Sequence, residues 1–267
     1  VSGGGDFLLP HLPKERILAA YAAAGGNEIA SGKLASPESS AALVANAFGY
    51  FLDRARDLPP LCAGLAVAWP AVRVHLEAQL RFPWSGGRHP WLDVLIETET
   101  HLVGVESKRY EPFRGKAKPS FSDAYWRDVW GDGMTRYGVV RDGISHGTLE
   151  FSHLDGAQLV KHAYGLRTAV SGDGRYRGRR AVLVYLYAEP QTWVDGRSVA
   201  SDQIRRHREE VSSFEELVEG DEVAFRALSY SALVDRWRHT GDRQLVEHAA
   251  AITDLIGPCH AAADEAA

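Results

Sequence analysis

Cysteine is nearly missing from this 267-residue chain: only Cys62 and Cys259 occur, far apart, with no C-x-x-C spacing and no Cys/His partner. That excludes a disulfide framework and a zinc site, and it makes a reducing cytoplasm the expected compartment. No apolar run reaches the length of a membrane span, and residues 1–10 lack the basic start and apolar stretch of a secretory signal, so no membrane association is expected. Several chemistries go with missing motifs. There is no G-x-S-x-G elbow, no Walker phosphate loop and no G-x-G-x-x-G, and the eleven histidines include no H-E-x-x-H. A positive excess is missing too, since the formal net charge is -5, and this excludes a protein that coats nucleic acid through bulk charge. The balance is uneven, however: Arg175, Arg177, Arg179 and Arg180 cluster, as do Arg205, Arg206 and Arg208. These are either phosphate-facing patches or solvated loop and helix faces.

What is present is enough chain to bury a large interior. Residues 1–35, rich in Gly and Ala and interrupted by Pro10 and Pro13, suggest a loosely attached leader around one short helix, ahead of a main domain over 36–267. Ser36-Pro37-Glu38 resembles a helix N-cap with proline at the first position, followed by an apolar stripe through Leu43, Ala47, Phe48 and Leu52. Over 72–82 the period changes to two, with Val72, Val74, Leu76, Ala78, Leu80 and Phe82 alternating with polar residues, as in a half-buried strand. Short apolar segments at 92–97 and 102–109, joined by Thr98-Glu99-Thr100-His101, extend this to a three-stranded meander. Helices are expected over 123–140, 154–166, 201–217 and 231–256, a central strand over 181–187 and a last strand over 223–230. The order of elements predicts an α/β sandwich with a central mixed sheet flanked by helices.

Taking Thr98 to His101 as a four-residue loop pairs Glu97 with Leu102, and counting outward puts Asp93 opposite Glu106. Directly opposed like charges are destabilising. Glu106 and Lys108 are two apart, so both project from one face, while Val103, Val105 and Ser107 point to the other. An acid pair and an amine therefore converge between apolar strands, where unneutralised carboxylates are costly. A hard divalent cation, Mg²⁺ or Mn²⁺, resolves the repulsion; a salt bridge of Lys108 to either acid is the alternative, because E-x-K alone is a weak signal.

Around these residues the chain resembles the PD-(D/E)XK nuclease superfamily. The pattern is Pro90-Trp91-Leu92-Asp93, twelve intervening residues, then Glu106-Ser107-Lys108, with Pro90 three positions before Asp93 instead of adjacent to it. Asn46-Ala47-Phe48-Gly49 adds a likeness to uncharacterised bacterial restriction endonucleases. The resemblance implies a restriction-endonuclease-like core and a metal-dependent nuclease acting on nucleic acid, with DNA expected and restriction or defence as its setting. It implies that Asp93, Glu106 and the backbone carbonyl of Ser107 hold Mg²⁺ or Mn²⁺, and that Lys108 orients the attacking water or stabilises charge on the transition state. Double-strand cutting implies a homodimer or two sequential nicks. A noncatalytic binding or scaffolding module that keeps the nuclease fold is the other class of function.

Glu77, on the polar face of the neighbouring strand, is the next catalytic candidate, since branches of the superfamily carry an additional acid there or in the first helix, where Glu38 competes; a solvated face and a helix cap are the plain alternatives. Gln158 is placed to touch a phosphate or the attacking water. Arg109, Tyr110, Arg114 and Lys116, with Lys118, Tyr125, Trp126 and Trp130, suggest a rim that contacts nucleic acid, although core packing explains the tryptophans equally well. The segment 112–119 is expected to be a loop beside the site.

Overall fold

The computed structural model describes residues 7–25, 28–115, 120–172 and 174–260. Among these, five strands form one mixed sheet in the order β1 (Ala71–Gln79), β2 (Trp91–Thr98), β3 (His101–Lys108), β4 (Arg180–Tyr187) and β5 (Val223–Ser229). The first three are an antiparallel meander, and β4 and β5 add in parallel. The expected α/β layering with a mixed central sheet is what forms. β4 is buried on both faces from Ala181 to Leu186, as its unbroken apolar run requires.

One face, through Val94, Ile96, Val103, Val105, Val182 and Val184, packs under α1 (Lys14–Ala23), α2 (Ser40–Gly49), α6 (Tyr230–Arg238) and α7 (Arg243–Ile256). The other, through Leu92, Leu95, Leu102, Leu183 and Phe225, packs under α3 (Thr135–His146), α4 (Gly156–Val170) and α5 (Ser201–Val218). The alternation that sends successive β3 and β4 side chains into opposite cores is the period-two geometry of a strand.

Several expected boundaries move. In the described part of the early segment, Leu8, Leu12, Ile17 and Tyr21 are buried in the first of these cores, where α1 packs against β1. The cap of α2 is Ser39, whose Oγ accepts from Ala42 N at 3.0 Å, whereas Glu38 is paired with Arg114. Pro37 precedes the helix without starting it. The expected 123–140 helix is broken. Tyr125, Trp130 and Met134 are all buried, and their steps of five and four do not fit a continuous helical face. The backbone therefore turns out at Arg127, and Trp130 stacks on Tyr164 at 4.1 Å. The expected 231–256 helix is two, separated at Gly241 with φ +77°; Asp242 then caps α7 by accepting from Gln244 N and Leu245 N. Strand β1 stops at Gln79, and Val72 is 40% exposed because the register slips between Ala71 and Arg73.

Candidate active site

The β2–β3 hairpin has the expected pairing of Glu97 with Leu102 and keeps it as far as Val94 and Val105, while the expected pairing of Asp93 with Glu106 is not part of the ladder. Beyond that point the strands separate, and Asp93 fills the gap as a side-chain substitute for the next ladder bond. Its Oδ2 accepts from Ser107 N at 2.6 Å. The amide and carbonyl of one strand residue face the same edge, so the Ser107 carbonyl faces this gap as well. Ser107 itself turns its hydroxyl to the other face, 2.7 Å from Tyr230 Oη.

A kink at this level explains why Asp93 lies at the opening. In β1, Leu76 belongs to one core and Ala78 to the other; in β2, Val94 and Leu92 divide the same way. Both strands change face between these residues. The change in β1 is made at Glu77, the one non-glycine residue with positive φ among those described, at +50°. A left-handed glutamate costs about 1 kcal/mol or more, and such irregularities re-aim side chains beside functional sites. Glu77 is thus delivered next to Asp93 and within electrostatic reach of Glu106.

Glu106 and Lys108 project together from β3. Lys108 Nζ donates to Glu106 Oε1 at 2.5 Å, and His162 Nε2 from α4 lies 2.9 Å from Glu106 Oε2. This approach depends on Gly104, where a Cβ would meet Leu92 Cδ1 at 2.5 Å and Leu166 Cδ1 at 3.0 Å. Two residues along the strand advance about 6.6 Å and four along the helix about 6 Å. The contact of Gly104 with Leu166 therefore sets His162 over Glu106. Gly104→Val is expected to lift α4 from the sheet, lower stability by about 1–3 kcal/mol, and separate His162 from Glu106; urea unfolding and a crystal structure of the variant check both, and an unmoved His162 would refute this account.

Electrostatics divide the three acids. Burial and the charge of Glu106 push the Asp93 carboxyl well above the usual range, against the opposing pull of Lys108 and the Ser107 amide. Burial also acts upward on Glu106, but Lys108 and His162 overcome it and hold the group down at about 2. Lys108 is held above its ordinary value by Glu106, Asp93 and Glu111 despite its own burial. Glu77 is pushed up to about 7 by burial, Glu28 and Glu106. Since the folded protein holds the Glu77 proton more tightly than the unfolded chain, Glu77 contributes stability that is lost as pH rises from 4.5 through about 7. For Glu106 the sign reverses, with stability lost as pH falls from 4.5 through about 2. In chelator, Glu77→Gln should remove about 1–2 kcal/mol of the decline between pH 5 and pH 8, after discounting for partial exposure. Denaturant titrations at both pH values test this; equal declines in the two proteins would show that Glu77 is not the group responsible.

An open cleft of 1440 Å³ is lined by Lys108, Glu111, Arg114, Gln158, Lys161 and His162 among others, with Arg88 on the β1–β2 side, whereas Glu77, Asp93 and Glu106 are not part of its lining. Cations thus reach it from three segments. Of the expected nucleic-acid contacts, Arg114 and Gln158 line this cleft, and the Gln158 amide is capped by Asp155 Oδ1 at 2.9 Å. Arg109 and Tyr110 are placed elsewhere. The Arg109 guanidinium donates to Pro37 O and Leu255 O, closing the C-terminal end of α7, and Tyr110 is 4% exposed, stacked on Trp193 with its hydroxyl donating to Thr192 O. Lys116 and Lys118 lie outside the described residues. In the expected loop beside the site, Pro112 and Phe113 are buried in a short 3₁₀ turn. Trp130 is core, and Trp126 is 42% exposed with Arg141 over its ring.

Two residues of this site were not anticipated. Glu111 accepts from Ser40 Oγ and, at 2.8 Å, from Arg109 N. His162 was signalled in principle by its i+4 spacing from Gln158, which puts both on one helix face.

As a holder of Mg²⁺ or Mn²⁺, the donor set fits in kind. Two carboxylates and the Ser107 carbonyl are hard oxygen ligands, and such ions leave remaining positions to water and phosphate. Among the described residues no group of three or more His, Cys, Asp or Glu is arranged to hold a metal ion. The same residues include no helix long and apolar enough to cross a membrane. No family model matches the chain, and no match is found among curated proteins or solved structures.

Proposed function

We propose that this chain is a metal-dependent nuclease that hydrolyses phosphodiester bonds in nucleic acid, with DNA as substrate, the cytoplasm as compartment, and restriction or another defence role as the setting. The observation that carries the proposal is the convergence, where the β2–β3 ladder ends, of Asp93, the Ser107 amide, and a Glu106–Lys108 pair whose Lys108 lines an open cleft reached by cations. Asp93, Glu106 and the Ser107 carbonyl would hold Mg²⁺ or Mn²⁺. When bound, such an ion polarises a phosphoryl oxygen and lowers the pKa of a coordinated water.

The residues of the chain then have separable tasks. Lys108, whose proton is bound more tightly than in an ordinary lysine, is an ammonium at neutral pH and not a base; it donates to water or to a phosphoryl oxygen that gains charge. Burial and the charge of Glu106 raise the Asp93 carboxyl well above the ordinary carboxylate range, so metal binding at this position would be coupled to proton release. Glu77 is poised to exchange a proton near neutrality and suits a base for the attacking water. Arg114 and Lys161 supply phosphate contacts along the cleft. Cutting both strands takes either two copies of the site, as in a homodimer on DNA, or two sequential nicks by one.

The test is incubation with plasmid and with linear single- and double-stranded DNA, each with Mg²⁺, Mn²⁺ or chelator. Cleavage is expected only with cation, and Asp93→Ala is expected to abolish it. Cutting that persists in chelator and in Asp93→Ala would discard the mechanism. A second reading has its own support: both Glu106 oxygens already have partners, which suits a noncatalytic binding module with an ion-pair cluster. Such a module would show no Mn²⁺ binding that depends on Asp93.

A further inference from the structure

We infer that His162 is a positioning residue for Glu106, one that keeps the carboxylate oriented when Lys108 turns from it to the reacting phosphate. The inference rests on the nuclease function proposed above and deepens it.

Glu106 is held from two sides by unlike groups. On Oε1 stands Lys108, an ammonium on a flexible four-carbon stem, at 2.5 Å. On Oε2, at 2.9 Å, stands His162 Nε2, carried on a short, stiff side chain. Lys108 lines the cleft and keeps 16% of its side-chain surface exposed, whereas His162 and Glu106 keep 3% each. Lys108 therefore has a path toward a substrate, and a Glu106 supported by Lys108 alone would lose its only partner whenever that path is taken. A buried carboxylate in that condition swings or takes up a proton.

The backbone makes His162 a fixed support. α4 is seated by Gly104 against Leu166, one helical turn from His162, so the backbone that carries the imidazole is held in place. Both ring nitrogens are buried and neither makes a hydrogen bond among the described residues, so the 2.9 Å approach of Nε2 to Glu106 Oε2 is a close polar contact. Buried polar atoms in that condition call for an explanation, and a role at the adjoining carboxylate supplies one that packing alone does not.

The test uses the whole chain with His162→Ala and His162→Gln, the second keeping a side-chain N–H donor. Mn²⁺ titration by calorimetry is expected to show binding weakened about 10- to 100-fold in His162→Ala, with kcat reduced to a similar degree, KM for DNA within threefold, and most of both losses recovered in His162→Gln. A metal-free crystal structure of His162→Ala should show Glu106 turned from its position. Melting temperatures report whether each variant is folded. A His162→Ala protein that binds Mn²⁺ and cleaves like wild type overturns the inference, as does a His162→Gln no better than His162→Ala when both are folded. A wild type that neither binds Mn²⁺ nor cleaves overturns the nuclease function itself, and this inference with it.

Discussion

Replacing Lys108 with methionine is expected to lower single-turnover cleavage by about 10²- to 10³-fold while KM for DNA changes little. Methionine keeps most of the stem and removes the charge, so what is lost is the donor aimed at developing negative charge. The same change strips Glu106 of the larger of the two influences that hold it at about 2. Its carboxyl then rises toward and past the ordinary value, because burial acts upward and only His162 opposes it. The sign of the pH dependence reverses with it: where wild type loses stability as pH falls below 4.5, Lys108→Met should lose it as pH rises above 4.5. Breaking one side of a buried pair costs about 3 kcal/mol, so cleavage is measured at a temperature where circular dichroism shows the variant folded. Cleavage within threefold of wild type would remove Lys108 from the mechanism.

Trp237→Ala is expected to cost about 3–5 kcal/mol of unfolding free energy, the largest loss among single changes away from the site. Trp237 is fully buried on α6, edge-on to Phe48 and Phe51 and stacked over His248 at 5.8 Å. It joins α2, α6 and α7, and the first residue of α6, Tyr230, meets the Ser107 hydroxyl. The cavity left by alanine therefore loosens the layer behind the β2–β3 gap. Trp237→Phe should cost much less. The indole Nε1 has no hydrogen-bond partner among the described residues, so its removal relieves an unmet donor and partly offsets the lost volume. Urea denaturation of the two variants decides this; equal losses would mean that the indole N–H is satisfied.

Much of the sheet was legible because strand chemistry is local. The period-two run beginning at Val72, the Thr98 to His101 loop and the apolar segment 181–187 each carry their own signal. The loop length then determines which residues face one another, and the pairing of Glu97 with Leu102 follows. Helix interruptions were not legible in the same way. The breaks near Arg127 and Gly241 come from where Trp130 and the start of α7 must pack, and a hydrophobic period does not record that.

By itself, the sequence determined the meander, its register, and the shared face of Glu106 and Lys108, since a two-residue period and a four-residue turn leave no other arrangement. Only the tertiary structure decided that Glu77 adopts a left-handed backbone beside Asp93, that Arg109 and Tyr110 turn to structural partners, and that His162, over fifty residues from Glu106, closes on its second oxygen. The last of these depends on how closely α4 approaches the sheet. That distance is set by the side chains packed between them, Gly104 above all, and not by any pattern within one segment.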